Sequence, residues 1–109
     1  MSELASRHCV PAHGPALSNE ASRSLLAQLK GWILDEDPRQ IHRTFSFGNY
    51  YETMAFVNAV AWIAHREDHH PDLAVGYNKV TVTYSTHSVS GLSENDFICA
   101  ARIDMLEDR

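Results

Sequence analysis

The sequence predicts an α+β domain in which an antiparallel sheet carries helices on one face. Segments 41–47 and 77–86 alternate in side-chain character from one residue to the next, which is typical of half-buried strands. Segment 49–66 repeats apolar residues at three- and four-residue spacing, which indicates a long amphipathic helix. Because strands and helices do not alternate regularly along the chain, we expect an antiparallel rather than a parallel sheet.

Length and composition favour one small globular domain. The chain has 109 residues, 44% of them hydrophobic, which is enough for a single core. Residues 1–17 contain prolines and a glycine without a clear period, so they predict a flexible N-terminal arm before a single domain at 18–109. Cys9 and Cys99 are too few for a disulfide framework or a four-cysteine zinc site.

Charge and hydropathy disfavour two classes of partner. The net charge of −5 disfavours direct contact with nucleic acid, since duplex binding needs clustered cations. No apolar run approaches the roughly 20 residues that span a bilayer, so we expect no membrane partner. The N-terminus lacks the apolar stretch of a secretory signal, and we therefore expect a cytoplasmic protein.

The first half of the chain predicts a helix and two strands. Ser18 can cap a helix that ends at Gly31 and places leucines on one side. A short buried strand over 32–34 follows, then a turn at 35–38 and the alternating strand over 41–47. Trp32 is interpreted as a core residue rather than one that stacks on a ligand.

The second half predicts the long helix, one or two strands and a last helix. Pro71 stops the helix over 49–66, so His69 and His70 lie on a bend at its exit. His87 falls just past the strand over 77–86, and segment 75–77 is either the start of a second hairpin or a lead into that strand. Ser93 and Asp96 have the spacing of a capping box at the start of the last helix.

Histidines from two separate segments are the candidate chemical groups. Histidine transfers protons near neutral pH, because its unperturbed pKa is about 6.5. A hairpin between the bend and His87 can bring His69, His70 and His87 to one rim of the sheet. The alternative interpretation is structural, since a helix C-terminus favours histidine on any surface helix.

A metal site is the competing chemical interpretation. His65 and His69 are four residues apart, which is a ligand spacing on a helix. Arg66, however, stands where the zinc-protease pattern requires glutamate. Asp68 and His70 supply further donors, so a metal site stays open as the less favoured interpretation of these residues.

With these histidines and Asp96 at their spacings, the sequence resembles the pterin-4a-carbinolamine dehydratases, also called 4a-hydroxytetrahydrobiopterin dehydratases. The resemblance covers about residues 18–104, and Trp32 and the strand at 43–47 also stand in the expected places. Its signature comprises these residues at matching spacings: His65, His69, His70, Pro71, Tyr77, His87 and Asp96.

The resemblance implies both a fold and a reaction. The fold would be a four-stranded antiparallel sheet with three helices on one face, assembled as a dimer or tetramer. The reaction would be loss of water from a 4a-hydroxytetrahydropterin, a by-product of aromatic amino acid hydroxylases, to give a quinonoid dihydropterin. No metal or organic cofactor is implied.

The resemblance also implies a role for each residue of this chain that matches a site residue of the family. His69, His70 and His87 would form the active site, with His69 and His87 transferring protons and His70 positioning the pterin. Asp96 would hold or polarise a group at the mouth of the site, and weaker substrate contacts fall to three more residues: Trp32, His65 and Tyr77.

The chain departs from the family pattern at two places. His65 replaces a frequent glutamate, which weakens an acidic partner in the site. Leu73 and Ala74 replace aromatic residues after the histidine pair, which puts a role of that loop in assembly in doubt.

A second function belongs to a different class, because some relatives serve as dimerisation cofactors of a transcription factor. An accessory role with another pterin, such as the molybdenum cofactor, is a related alternative. The complete histidine set favours catalysis over both.

Overall fold

The computed structural model describes residues 3–107 and shows an α+β fold. The strands form one antiparallel sheet in the order β1-β2-β4-β3. Short 3₁₀ turns lie at Leu4–Ser6, His87–Val89 and Met105–Glu107. The elements in chain order are α1 (Asn19–Leu26), β1 (Ile33–Glu36), β2 (Arg39–Ser46), α2 (Tyr50–Glu67), β3 (Asp72–Val75), β4 (Lys79–Tyr84) and α3 (Glu94–Asp104). The predicted fold class, with four strands and three α-helices, is confirmed.

The core lies between the apolar face of the sheet and the helices. In β4 the alternation is complete, since Val80, Val82 and Tyr84 are fully buried while the residues between them are not. Phe45 of β2 packs against Phe56 of α2, with ring centroids 4.6 Å apart. This burial follows directly from the period-two pattern of the sequence.

The bend after α2 results from how that helix starts and stops. Asn49 caps the helix by accepting a hydrogen bond from the backbone N–H of Glu52 at 2.9 Å. At the other end Asp68 has a φ of 53°, the left-handed conformation that terminates many helices. The chain therefore turns sharply, and His69 and His70 leave the helix before Pro71 leads into β3.

Some boundaries differ from the prediction. The open question at 75–77 is answered by β3, which pairs with β4 from Asp72 opposite Thr83 to Val75 opposite Val80. α1 ends at Leu26 rather than Gly31, because a turn separates that helix from β1. Ile33 is on the face of the sheet away from the helices and is exposed, so the segment at 32–34 is not a buried strand.

The N-terminal arm packs on the domain. Leu4 and Ala5 are buried, and the 3₁₀ turn that contains them lies against α3. The domain boundary expected after residue 17 stays a prediction. The sequence did not predict these contacts, because single buried residues in an aperiodic segment give no pattern.

Within residues 3–107, no helix combines the length and the apolar character that crossing a bilayer requires.

Candidate active site

A cleft of about 480 Å³ opens beside the bend that follows α2. His69, His70 and His87 all line this cleft, as the sequence predicted for one rim of the sheet. The other lining residues are Asp68, Asp72, Thr83, Ser85, Thr86 and Ser88. Three imidazoles from separate segments therefore border one cavity.

The sheet register explains why these segments meet. Asp72, the first residue of β3, pairs with Thr83 near the end of β4. The bend at 69–71 consequently lies next to the end of β4, and His87 follows that end by three residues. Antiparallel pairing thus brings the histidine pair and His87 to the same edge of the molecule.

His69 is the most constrained of the three histidines. Its Nε2 lies 2.6 Å from Oδ1 of Asp96, and its ring stacks on Tyr84 with centroids 5.1 Å apart. The Tyr84 hydroxyl also donates a hydrogen bond to the His69 carbonyl oxygen at 3.2 Å. Ring and backbone are therefore both fixed, which presets the orientation of this imidazole.

Asp96 lies beneath the cleft rather than at its mouth, since its exposure is 0%. Its Oδ2 accepts hydrogen bonds from the Thr86 hydroxyl at 2.7 Å and from the backbone N–H of Ser93 at 3.0 Å. The second bond is the carboxylate half of the predicted capping box at the start of α3. One carboxylate therefore begins a helix and holds His69, and its burial leaves it no open surface toward a ligand.

Two opposing effects set the pKa of His69. Burial disfavours the charged imidazolium, but the hydrogen bond and charge of Asp96 outweigh burial, so the pKa of His69 is raised above its usual 6.5. The protonated form is thereby favoured in the folded protein. His70 and His87 are exposed side chains at the cleft.

Stability should depend on pH through His69. Because its pKa is raised on folding, protonation of His69 stabilises the fold; this contribution is complete below about pH 6.5 and is lost as the pH rises through the folded-state pKa. We expect the free energy of unfolding, measured with urea, to fall less between pH 6 and pH 8.5 in His69→Gln than in the unmodified protein.

The exposed His13 of the arm provides the matched control, and His13→Gln should keep the pH dependence of the unmodified protein. Identical pH profiles for His69→Gln and the unmodified protein would contradict the assignment.

The remaining sequence-predicted site residues lie in different places. His65 borders a shallow pocket beside the cleft together with His69 and His70, and its ring lies 5.6 Å from that of Trp62. Trp32 is buried and donates its indole N–H to Asp104 at 2.8 Å, and Tyr77 is 66% exposed and stacks on Tyr50. Neither Trp32 nor Tyr77 is among the residues that line the cleft.

Sequence reasoning missed one wall of the site. The arm residues Cys9–Ala12 join His69, Thr86 and Ser88 around an adjoining cavity of about 240 Å³. Thr83 and Ser85 could have been found, because they alternate with the buried residues of β4. The arm carried no such signal, since its position depends on contacts with residues more than 50 positions away.

Among residues 3–107, no three histidine, cysteine, aspartate or glutamate side chains are grouped so that they could hold a metal ion. The expectation that the site uses no metal stays a prediction.

Comparison with known proteins identifies relatives over nearly the whole chain. Residues 15–106 match the family model described as Pterin 4 alpha carbinolamine dehydratase. A protein of Nitrosomonas eutropha, provisionally named pterin-4-alpha-carbinolamine dehydratase, is 60% identical over 107 residues, covering 95% of this chain and 93% of the relative. A relative from Xanthomonas campestris pv. campestris with the same provisional name is 56% identical over 108 residues, covering 97% and 92%.

Two solved structures share the fold. A transcriptional coactivator/pterin dehydratase from Brucella melitensis superposes with a TM-score of 0.80 at 31% identity, covering 84% of this chain and 97% of that one. A pterin dehydratase-like protein, identified as a RuBisCO assembly factor in the α-carboxysome, gives 0.61 at 28% identity, covering 70% and 88%.

Proposed function

Because the chain belongs to the pterin 4 alpha carbinolamine dehydratase family, we propose that it removes water from a 4a-hydroxytetrahydropterin to give a quinonoid dihydropterin. The observation that carries this proposal is the cleft of about 480 Å³ bordered by His69, His70 and His87. A small heterocycle that must lose a hydroxyl group and a ring-nitrogen proton needs an acid and a base that both reach it in one cavity.

We assign the acid to His69 and the base to His87. Asp96 favours the protonated form of His69, so this imidazolium protonates the departing 4a-hydroxyl as the carbon–oxygen bond breaks. Since Nε2 of His69 is held by Asp96, Nδ1 is the nitrogen that exchanges its proton with the substrate. His87 accepts the ring-nitrogen proton, and His70 positions the pterin. The proton donated by His69 leaves in the water molecule. His87 then releases its proton to solvent and His69 takes one up, so that the quinonoid dihydropterin and water are the only products.

The reaction belongs to pterin recycling in this proposal. A 4a-hydroxytetrahydropterin is the by-product of aromatic amino acid hydroxylases, so such an enzyme would supply the substrate. We also propose a homo-oligomer, because β1 and β3 are edge strands whose outer sides have no partner strand within residues 3–107.

The direct test is a dehydration assay on the purified full chain. A hydroxylase generates the 4a-hydroxytetrahydropterin, and absorbance follows the quinonoid product. The rate should exceed spontaneous dehydration in proportion to the concentration of the protein. A rate that stays at the spontaneous value across the whole concentration range would refute the proposed activity.

The second candidate function is a non-catalytic accessory or dimerisation module. Two observations favour it: the solved relatives include a coactivator and an assembly factor, and Tyr51 and Trp62 of α2 are large exposed aromatic residues. The same preparation separates the two functions. Absence of dehydration, together with an oligomer by light scattering that dissociates when Trp62 is replaced by serine, would favour the accessory module.

A further inference from the structure

Two thiols meet behind the histidine bend. Sγ of Cys9, in the N-terminal arm, lies 3.5 Å from Sγ of Cys99 in α3. The two residues are 90 positions apart in the sequence, and both are free cysteines. Contact between thiols so distant along the chain requires that the fold hold the arm in place.

Buried polar groups anchor the arm at this point. The backbone N–H of Cys9 donates to Oε1 of Glu67 at 2.7 Å. Asn95 bonds both backbone polar groups of the next residue, because its Oδ1 accepts from Val10 N–H at 3.1 Å and its Nδ2 donates to the Val10 carbonyl at 2.7 Å. Glu67 and Asn95 are both buried, so the position of Cys9 is fixed by bonds on either side of it.

The two sulfurs differ in accessibility. Cys9 is partly exposed and lines the cavity of about 240 Å³ that adjoins the histidine cleft, whereas Cys99 is fully buried. A small oxidant can therefore reach Cys9, while Cys99 stays protected until its neighbour has reacted.

The hydrogen bond between the two thiols also makes the two cysteines differ in acidity. It lowers the pKa of the Cys99 thiol against the opposing effect of burial, and it raises the pKa of Cys9. Ionisation of the pair therefore favours Cys99, which makes it the attacking sulfur once Cys9 is oxidised. The exposure of Cys9 to the adjoining cavity, and not its pKa, selects it as the sulfur that the oxidant reaches first.

We propose that Cys9 and Cys99 are a redox-active dithiol, which a hydroperoxide such as hydrogen peroxide converts into an intramolecular disulfide. In the first step one peroxide oxygen is transferred to Sγ of Cys9, giving a sulfenic acid, and the other oxygen leaves as water. In the second step Sγ of Cys99 attacks the sulfenic sulfur. The sulfur–sulfur bond forms, the sulfur–oxygen bond breaks, and the hydroxyl leaves as water with the Cys99 proton. Both thiols are oxidised by one electron each, and one peroxide is reduced to two waters.

The disulfide would tie the arm to the helix that carries Asp96. A sulfur–sulfur bond is about 2.05 Å long, so the two Sγ atoms must approach by about 1.5 Å. Sγ of Cys99 also lies 3.9 Å from the His69 carbonyl oxygen. Oxidation would therefore fix the arm as a permanent wall beside the proposed catalytic histidine.

The test uses the reduced full chain and one equivalent of hydrogen peroxide. After denaturation and alkylation, mass spectrometry should show a single chain without alkyl groups, and a sample treated with dithiothreitol should carry two. Alkylation counts thiols, so methionine oxidation does not alter this readout. The melting temperature of the oxidised form should exceed that of the reduced form by on the order of 10 °C, because the bond closes a long loop.

Cys9→Ser and Cys99→Ala provide the controls. Cys9→Ser should keep its one alkylatable thiol after peroxide, because the buried Cys99 is protected. Cys99→Ala should lose its alkylatable thiol to a sulfenic acid at Cys9, which dithiothreitol restores. Neither variant should show a rise in melting temperature after peroxide, and Cys9→Ser guards against a fold lost in Cys99→Ala. Two alkylated thiols after peroxide treatment would overturn the proposal, as would a disulfide found only between two chains or a product with sulfinic acid at Cys9.

Discussion

Replacing His87 with alanine should slow dehydration of a 4a-hydroxytetrahydropterin by on the order of 100-fold or more, the usual scale of lost general acid–base catalysis. His87 lines the cleft without being buried, so its removal costs a proton acceptor but little packing. His69→Ala should show a loss of similar size, because it removes the imidazole whose protonated form Asp96 favours. The measurement is kcat/KM above the spontaneous rate.

Two controls test whether the loss of rate is specific to the histidines of the cleft. His13→Ala removes an exposed histidine of the arm that does not line the cleft, and its rate should stay within about twofold of the unmodified protein. Circular dichroism should show that His87→Ala is folded. If His69→Ala and His87→Ala both dehydrate the pterin at the unmodified rate, the proposed roles are wrong.

Asp96→Ala should lower the free energy of unfolding by about 3 kcal/mol or more, since removal of one partner from a buried, hydrogen-bonded pair leaves the other groups unsatisfied. The groups left without this acceptor are the His69 ring and the Ser93 backbone N–H, whereas the Thr86 hydroxyl keeps the Ser93 hydroxyl as a partner at 2.6 Å. In a domain of this size the melting temperature should fall by more than about 10 °C. Urea unfolding and calorimetry measure both effects.

The conservative variant separates the two duties of Asp96. Asp96→Asn keeps an oxygen acceptor for α3 but removes the charge that favours protonated His69, so it should lose less stability than Asp96→Ala and still lose activity. Glu94→Gln removes a charge from the same helical turn at an exposed position, and its stability should change by less than about 0.5 kcal/mol. A loss of stability in Asp96→Ala no larger than that of Glu94→Gln would contradict the assignment.

The parts of the fold that the sequence predicts are those set by local patterns. The alternation at Val80, Val82 and Tyr84 indicates both the strand and its buried face, and the structure confirms each. The long helix was predicted within one residue at each end, because Asn49 and Pro71 give local signals for its start and for the bend that follows.

The parts that could not be predicted depend on contacts between distant segments. The capping role of Asp96 is local and was predicted, but its bond to His69 joins residues 27 positions apart. Likewise β3 has only four residues, and its pairing with β4 rather than its own sequence makes it a strand. The convergence of the histidines was expected from a hairpin that the sequence alone could not establish.

Because Asp68, in the left-handed conformation, ends α2, the length of that helix determines the direction in which the bend with His69 leaves it. Each residue of an α-helix advances the chain by about 100° and 1.5 Å. An insertion or deletion of one residue inside α2 would rotate Asp68, and the bend that follows it, around the helix axis, and so turn His69 away from its carboxylate partner. Variation in chain length is therefore compatible with the proposed chemistry in loops such as that between α1 and β1, but not within α2.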